Sequence, residues 1–227
     1  VVRFLLIFVC SSLFAAGPMT HLYLGEEYCL IRHYDEKETG EFFVGTLFPD
    51  IRYITHFPRK KTHFPVKNLL EVWECPFPFL AGMKFHNWVD EMREVFVVQS
   101  GIYEKVIPHA EGKEATLLKF IEEEILDYDG RKWGALFNPA LKEEREFTTD
   151  TMINRWHWMI WCAMQTRPSW FLWAISYVDT QIFGISNQTL YQWSTLLPKF
   201  ASDPEFQGYV NHLLTHLLQK MGEALPK

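Results

Sequence analysis

Apolar side chains along this chain recur at helical rather than alternating spacing. The pattern is clearest in five windows, residues 69–73, 80–96, 117–126, 152–164 and 209–221. Together they predict an all-α fold. Pro58, Pro65, Pro76, Pro78, Pro108, Pro139, Pro168, Pro198 and Pro204 lie between these windows, where proline ends one helix or opens the next. Asp203 before Pro204 and Glu205 marks a helix start, and Val210, Leu213, Leu214, Leu217, Leu218 and Met221 then form one core-facing stripe. His212 and His216, one turn apart, point away from that stripe and read as solvated. Two glycines in 127–134 mark a loop inside one domain.

The first residues follow a different rule. Arg3 precedes an apolar run over 4–10, too short to span a bilayer, and Ala15 or Ala16 supplies the small residue that a signal peptidase accepts. A signal peptide over 1–16 is expected, leaving a single helical domain over 17–227 in a secreted or periplasmic protein. Its removal takes away Cys10 and leaves Cys29, Cys75 and Cys162, an odd number that indicates no disulfide framework. No C-x-x-C occurs, so a thiolate zinc site has no foothold.

Composition agrees with a globular body: 227 residues, 48% of them hydrophobic and 22% charged, can bury enough apolar surface to offset chain entropy. Lys and Arg total 22 against 28 Asp and Glu, a net charge of −6 that argues against a grip on long nucleic acid. Five tryptophans, Trp156, Trp158, Trp161, Trp170 and Trp173, fall close together. Indole rings suit packed cores and membrane interfaces alike, and helical spacing favours the core. His157 within this cluster reads as a core histidine with a hydrogen-bond partner. Glu114, Glu122, Glu123, Glu124, Asp127 and Asp129 read as a solvated acidic face. No G-x-S-x-G elbow, phosphate-binding glycine loop or H-E-x-x-H helix is present, which removes serine hydrolase, nucleotide-binding and zincin chemistry.

Candidate chemistry gathers in the first hundred residues. His21 comes first, then Asp50 in Gly45-Thr-Leu-Phe-Pro-Asp50, then His63 in Arg59-Lys-Lys-Thr-His63, then His86 and Asp90 in His86-Asn-Trp-Val-Asp90. Imidazole nitrogens and carboxylate oxygens are the ligands zinc accepts when no thiolate is offered, and aspartate can bridge two ions. His86 and Asp90 are four apart, so on a helix their side chains are neighbours. Glu94 extends the same stripe by one turn beside Arg93. A polar stripe facing solvent would have the same spacing.

The succession Thr20-His21, Phe43-Val44-Gly45-Thr46-Leu47-Phe48-Pro49-Asp50-Ile51-Arg52, Thr62-His63-Phe64 and Phe79-Leu80-Ala81-Gly82-Met83-Lys84-Phe85-His86-Asn87-Trp88-Val89-Asp90 resembles the bacterial zinc-dependent phospholipase C family. The likeness covers about residues 18–95. It implies helices around a cluster of one to three zinc ions, with His21, Asp50, His63, His86 and Asp90 as ligands and Asp50 also orienting or deprotonating the attacking water. His63 is preferred to His56 because Arg-x-x-Thr-His is the closer match. Family members can use the mature N-terminus, often tryptophan, as a ligand, where this chain has Ala16-Gly17-Pro18. Glu94 stands near where the family places a further histidine, and a later His-x3-Glu pair has no counterpart. The implied activity is a secreted, metal-dependent phosphoric ester hydrolase acting on phospholipid or a small phosphate ester, with peripheral membrane contact. A non-catalytic metal-binding protein of the same fold and a single-strand nuclease are the alternatives.

Overall fold

The computed structural model describes residues 16–178 and 185–226, so the expected leader lies outside the described residues except for Ala16. Helix α1 (Pro18–Arg32) leads into α2 (Glu36–Leu47), whose start is closed by a capping box between Asp35 and Glu38. A 3₁₀ turn, Phe48–Ile51, continues directly from α2 into the short α3 (Arg52–Thr55). After α4 (Leu70–Trp73) comes the long α5 (Pro78–Ser100), then α6 (Tyr103–Ala110) and α7 (Glu114–Ile125). A 3₁₀ stretch over Gly130–Phe137 and the short α8 (Lys142–Arg145) precede α9 (Asp150–Gln165) and α10 (Pro168–Ile175). Helices α11 (Asn187–Ser202) and α12 (Pro204–Ala224) finish a single all-helical domain, with no strand among the described residues.

All five periodic windows fall on helices, and Pro78, Pro168 and Pro204 each open one, where the missing N–H is not needed. Pro108 and Pro198 depart from expectation by lying inside α6 and α11. Pro108 stands near the end of its short helix, and the tertiary contacts of each helix outweigh one lost backbone bond.

The crossing of α2 and α5 sets the rest of the N-terminal half. Gly45 on α2 lies against the backbone of Phe79, and Gly82 on α5 lies against the backbone of Phe42 and Thr46. A Cβ at either position would overlap main-chain atoms, which cannot rotate away. The two glycines therefore let the helices touch backbone to backbone, and His86, one turn after Gly82, reaches across to the Thr46 carbonyl. Phe42, Phe85 and Tyr28 fill the adjoining core with ring contacts of 4.9–5.3 Å.

Glu122, Glu123 and Glu124 on α7 are buried, correcting their reading as part of a solvated face, whereas Asp127 and Asp129 are exposed as expected. Glu122 accepts from Arg93 Nε and Nη2 at 2.7 and 2.9 Å and from the Tyr209 hydroxyl at 2.6 Å, which ties α5, α7 and α12 together. Glu123 accepts from the Met19 and Thr20 backbone N–H groups and the Thr20 hydroxyl at 2.9–3.0 Å. These are orphan donors of the first turn of α1, whose N-cap is Gly17, a residue with no side chain to offer. Glu124 does the same for α10, accepting from Ser169 N and Oγ at 2.8 Å.

The tryptophan cluster also corrects the reading that favoured the core. Trp156 is buried on the α9 stripe with Ile153, Ile160 and Met164, whereas Trp158, Trp161, Trp170 and Trp173 are exposed. Trp158 and Trp161 fall off that stripe at 100° per residue. His157 is buried, as expected, with Nε2 2.7 Å from Glu144 Oε1. None of the described helices is long and apolar enough to cross a membrane.

The α2–α5 crossing makes a direct prediction. Gly82→Ala is expected to lose about 3 kcal/mol of stability, the upper end of ordinary overpacking, because the clash is with backbone. Urea denaturation checks this, and an unchanged midpoint would show that the helices are not in direct contact.

Candidate metal centre

Four separate segments deliver five side chains to one buried place. His21 comes from the second turn of α1, Asp50 from the 3₁₀ turn after α2, His63 from the loop after Arg59–Lys61, and His86 with Asp90 from α5. All five are buried, at 9% exposure or less. Glu94 does not join them: its carboxylate accepts from the Tyr103 hydroxyl at 3.1 Å and lies 3.8 Å from Arg93. Tyr103 and Arg93 draw it outward from the stripe it shares with Asp90. His56 is exposed, at the left-handed C-cap of α3 with φ of 56°.

The spacing between these side chains suits ligation better than hydrogen bonding. His21 Nε2 lies 3.3 Å from Asp90 Oδ1, His86 Nε2 3.4 Å from Asp90 Oδ2, and His86 Nε2 4.0 Å from Asp50 Oδ1. His63 Nε2 is 3.9 Å from Asp90 Oδ2. Two atoms that each bind one tetrahedral zinc at about 2.05 Å stand about 3.3 Å apart. Ring nitrogens and carboxylate oxygens at these separations can surround an ion. His21, His86 and Asp90 form one such group, and Asp50, His63 and His86 form another.

Unpaired polar atoms mark the same spot. His21 Nδ1 and Nε2, His63 Nε2, His86 Nε2 and Asp50 Oδ1 are buried without a hydrogen-bond partner among the described residues. Leaving such groups unsatisfied costs about 1–3 kcal/mol each, so their convergence in one place calls for something between them. This donor set fits zinc.

Neighbouring acceptors orient two of the rings. His86 Nδ1 lies 2.9 Å from the Thr46 carbonyl, which can only accept, so Nδ1 carries a proton and in the neutral ring Nε2 keeps its lone pair. The Thr62 hydroxyl donates to the Pro49 carbonyl at 3.0 Å and accepts from His63 Nδ1 at 3.0 Å, which gives His63 the same tautomer. His21 has neither anchor. Its ring stacks on His86 with centroids 4.1 Å apart.

Burial, reinforced by the His86 charge, pushes His21 down to about 4 and His63 down to about 3, so both rings are neutral and competent as ligands near pH 7. Burial acts on His86 in the same direction, but Asp90 and Asp50 outweigh it and hold its pKa raised. Burial would raise Asp90, yet the charge of His86 and hydrogen-bonding contact with His21 and His86 hold it well below the ordinary carboxylate range. Asp90 also receives the Ala16 backbone N–H on Oδ1 at 2.8 Å and Arg59 Nη2 on Oδ2 at 3.4 Å.

A cavity of about 450 Å³ runs between α7 and α9. Of the five cluster residues Asp50 alone lines it, together with Lys119 and Glu123 on one side and Trp156, Met159 and Ile160 on the other. Asp50 is thus the point where the cluster meets a space large enough for a small organic molecule. The sequence reading did not find Lys119 or Glu123. Glu123 left a trace in Gly17-Pro18, a helix start with no cap of its own. Comparison of the chain with protein-family models, curated protein sequences and solved structures found no match.

Two predictions follow from this geometry. Thr62→Val removes the acceptor that orients His63 and is expected to weaken zinc affinity 10- to 100-fold with an unchanged circular dichroism spectrum; affinity equal to wild type would show that His63 is not oriented through Thr62. Between pH 6.5 and about 4 the unfolded chain binds protons at His21 and His63 and the folded chain does not. Stability of metal-free protein is therefore expected to fall as pH drops through that window, while the raised His86 contributes its stability below 6.5 and loses it only on the alkaline side. Melting temperatures at pH 7 and pH 4.5 read the sign, and a higher value at pH 4.5 would contradict neutral buried rings.

Proposed function

We propose that this chain is an exported, metal-dependent phosphoric ester hydrolase of the zinc-dependent phospholipase C type. The observation that carries the reading is the pair of ligand groups that meet at His86, one with His21 and Asp90 and one with Asp50 and His63, beside an Asp90 whose two carboxylate oxygens face different partners: Oδ1 faces His21 and the Ala16 nitrogen, Oδ2 faces His86, His63 and Arg59. His21, Asp50, His63, His86 and Asp90 would together hold the zinc of such a centre. Cleavage after Ala15, one residue before the expected end of the leader at Ala16, would turn the Ala16 nitrogen into a free amine beside Asp90, in the role the family gives its mature N-terminus.

Bound zinc supplies a water of lowered pKa, polarises a phosphoryl oxygen and stabilises a leaving alkoxide. The chain's own residues do the remaining work. Asp50 faces both the cluster and the cavity, and its pKa is lowered: burial pushes it up, while neighbouring positive charge, Lys119 first and then His86, outweighs that and keeps it ionised. An ionised carboxylate there can orient the attacking water and accept its proton. The Thr46 carbonyl and Thr62 hydroxyl hold the imidazole rings in position. Exposed Trp170 and Trp173 on α10, the helix that also brings Pro168 and Phe171 to the cavity, support peripheral contact with a lipid surface.

A metal-binding protein without turnover is the second reading. It is favoured by Glu94, which Tyr103 and Arg93 hold outside the cluster, so a third-ion set is not assembled from that position. Metal analysis with activity assays separates the two. Purified wild type is expected to carry zinc, His86→Ala and Asp90→Ala to lose it, and His216→Ala to keep it, since His216, half-buried on α12 against Phe96 rather than solvated as its spacing suggested, is not in the cluster. Asp50→Asn is expected to retain most of the zinc while hydrolysis of a soluble phosphocholine ester falls by about 100-fold or more. Unchanged zinc in both His86→Ala and Asp90→Ala removes the site, and zinc without any turnover in wild type selects the non-catalytic reading.

A further inference from the structure

Three cations line the cavity; Arg131 is held by Asp129 and Arg167 is exposed at the N-cap of α10, which leaves Lys119 as the half-buried one. Lys119 stands on α7, one turn before Glu123, and lines the cavity beside Asp50. It is half-buried, and its ammonium makes no hydrogen bond or ion pair with another described residue. A half-buried lysine gives up hydration, and a partner normally compensates for that loss. Here the nearest carboxylates are already engaged: Glu123 caps α1 with three hydrogen bonds, and Asp50 belongs to the cluster.

Opposite Lys119 the wall is apolar. Trp156, Met159, Ile160 and Met164 form one face of α9 at spacings of three and four residues, and Phe120 of α7 and Phe171 of α10 also line the cavity. A cation on one side and an apolar stripe on the other describe the shape of an amphiphilic anion. Resting on the phosphoric ester reading above, we propose that Lys119 is the anion-binding residue of the cavity, taking a non-bridging phosphoryl oxygen beside Asp50, while Met159 and its α9 neighbours take an alkyl or aryl arm of the same ester.

The physical case is one of charge balance as well as shape. Asp50, Glu123 and Glu124 line the cavity with negative charge and would repel an anionic ester. Lys119 acts on Asp50, on His86 and on Glu123, so its charge is felt where the ester would sit. Its length and flexibility let the ammonium follow an oxygen without disturbing the helix. A monodentate contact of this kind suits lysine as a point charge.

Calorimetric titration of zinc-loaded full-length protein with methylphosphonate and octylphosphonate tests this, since both share the head group and neither carries a hydrolysable ester bond. Octylphosphonate is expected to bind at least about tenfold more tightly than methylphosphonate, the difference expected of a buried alkyl arm. Lys119→Met is expected to weaken both by about tenfold or more with zinc content unchanged, and Lys119→Arg to recover most of the loss. Met159→Asn, at a half-buried position, is expected to abolish only the octyl advantage. Binding of both phosphonates by Lys119→Met within twofold of wild type overturns the assignment of Lys119. Equal affinity of wild type for the two ligands overturns the assignment of the α9 wall. Zinc content, read separately, keeps the two readings apart: wild type without zinc that still binds octylphosphonate through Lys119 sinks the hydrolase and leaves this inference standing, and loss of both sinks both.

Discussion

Three consecutive carboxylates on α7 hold the molecule in register. A buried carboxylate is costly unless every oxygen is occupied, and each of these is: Glu122 by a guanidinium fork and a phenol, Glu123 by two backbone N–H groups and a hydroxyl, Glu124 by a backbone N–H and a hydroxyl. Successive residues on a helix point about 100° apart, so three in a row face three different neighbours. Through them α7 fixes α5 and α12 by Glu122, α1 by Glu123 and α10 by Glu124. Two of these helices, α1 and α5, carry three of the five clustered side chains.

The second constraint is the bare contact of α2 with α5. Because glycine occupies both sides of the crossing, a main-chain carbonyl of α2 comes within reach of an imidazole on α5. The same segment continues into the turn that holds Asp50 and the carbonyl of Pro49, which fixes Thr62 and through it His63. One short stretch, Thr46 to Asp50, therefore supplies a donor and orients two others. Backbone acceptors are well suited to this, since they cannot titrate and move little.

Much of this was legible in the residues and some was not. The five windows with a clear stripe are helices because one face of each is buried and the other wet. Helices α1 and α2 escaped that test because they are buried on most sides: residues 42–47 are all buried, and a helix buried all round shows no periodicity. His86 and Asp90 could be paired from their spacing, but His21 and Asp50 lie in those hidden helices or at their ends and were marked only by resemblance. The run Glu122-Glu123-Glu124 looked solvated since its partners, Arg93, Thr20 and Ser169, are distant in sequence. Its trace is indirect: Gly17-Pro18 and Arg167-Pro168 open helices without a capping side chain, so each needed an acceptor from elsewhere. The tryptophans were assigned to the core as one stripe at helical spacing, but Trp156 lies in the buried stripe and Trp158 and Trp161 lie outside it.

The cap that Glu123 places on α1 joins residues 104 positions apart, Met19 and Glu123. The position of His21 beside Asp90 thus depends on a contact that local chain structure cannot make, and a seat for the proposed ion would exist only in the folded chain.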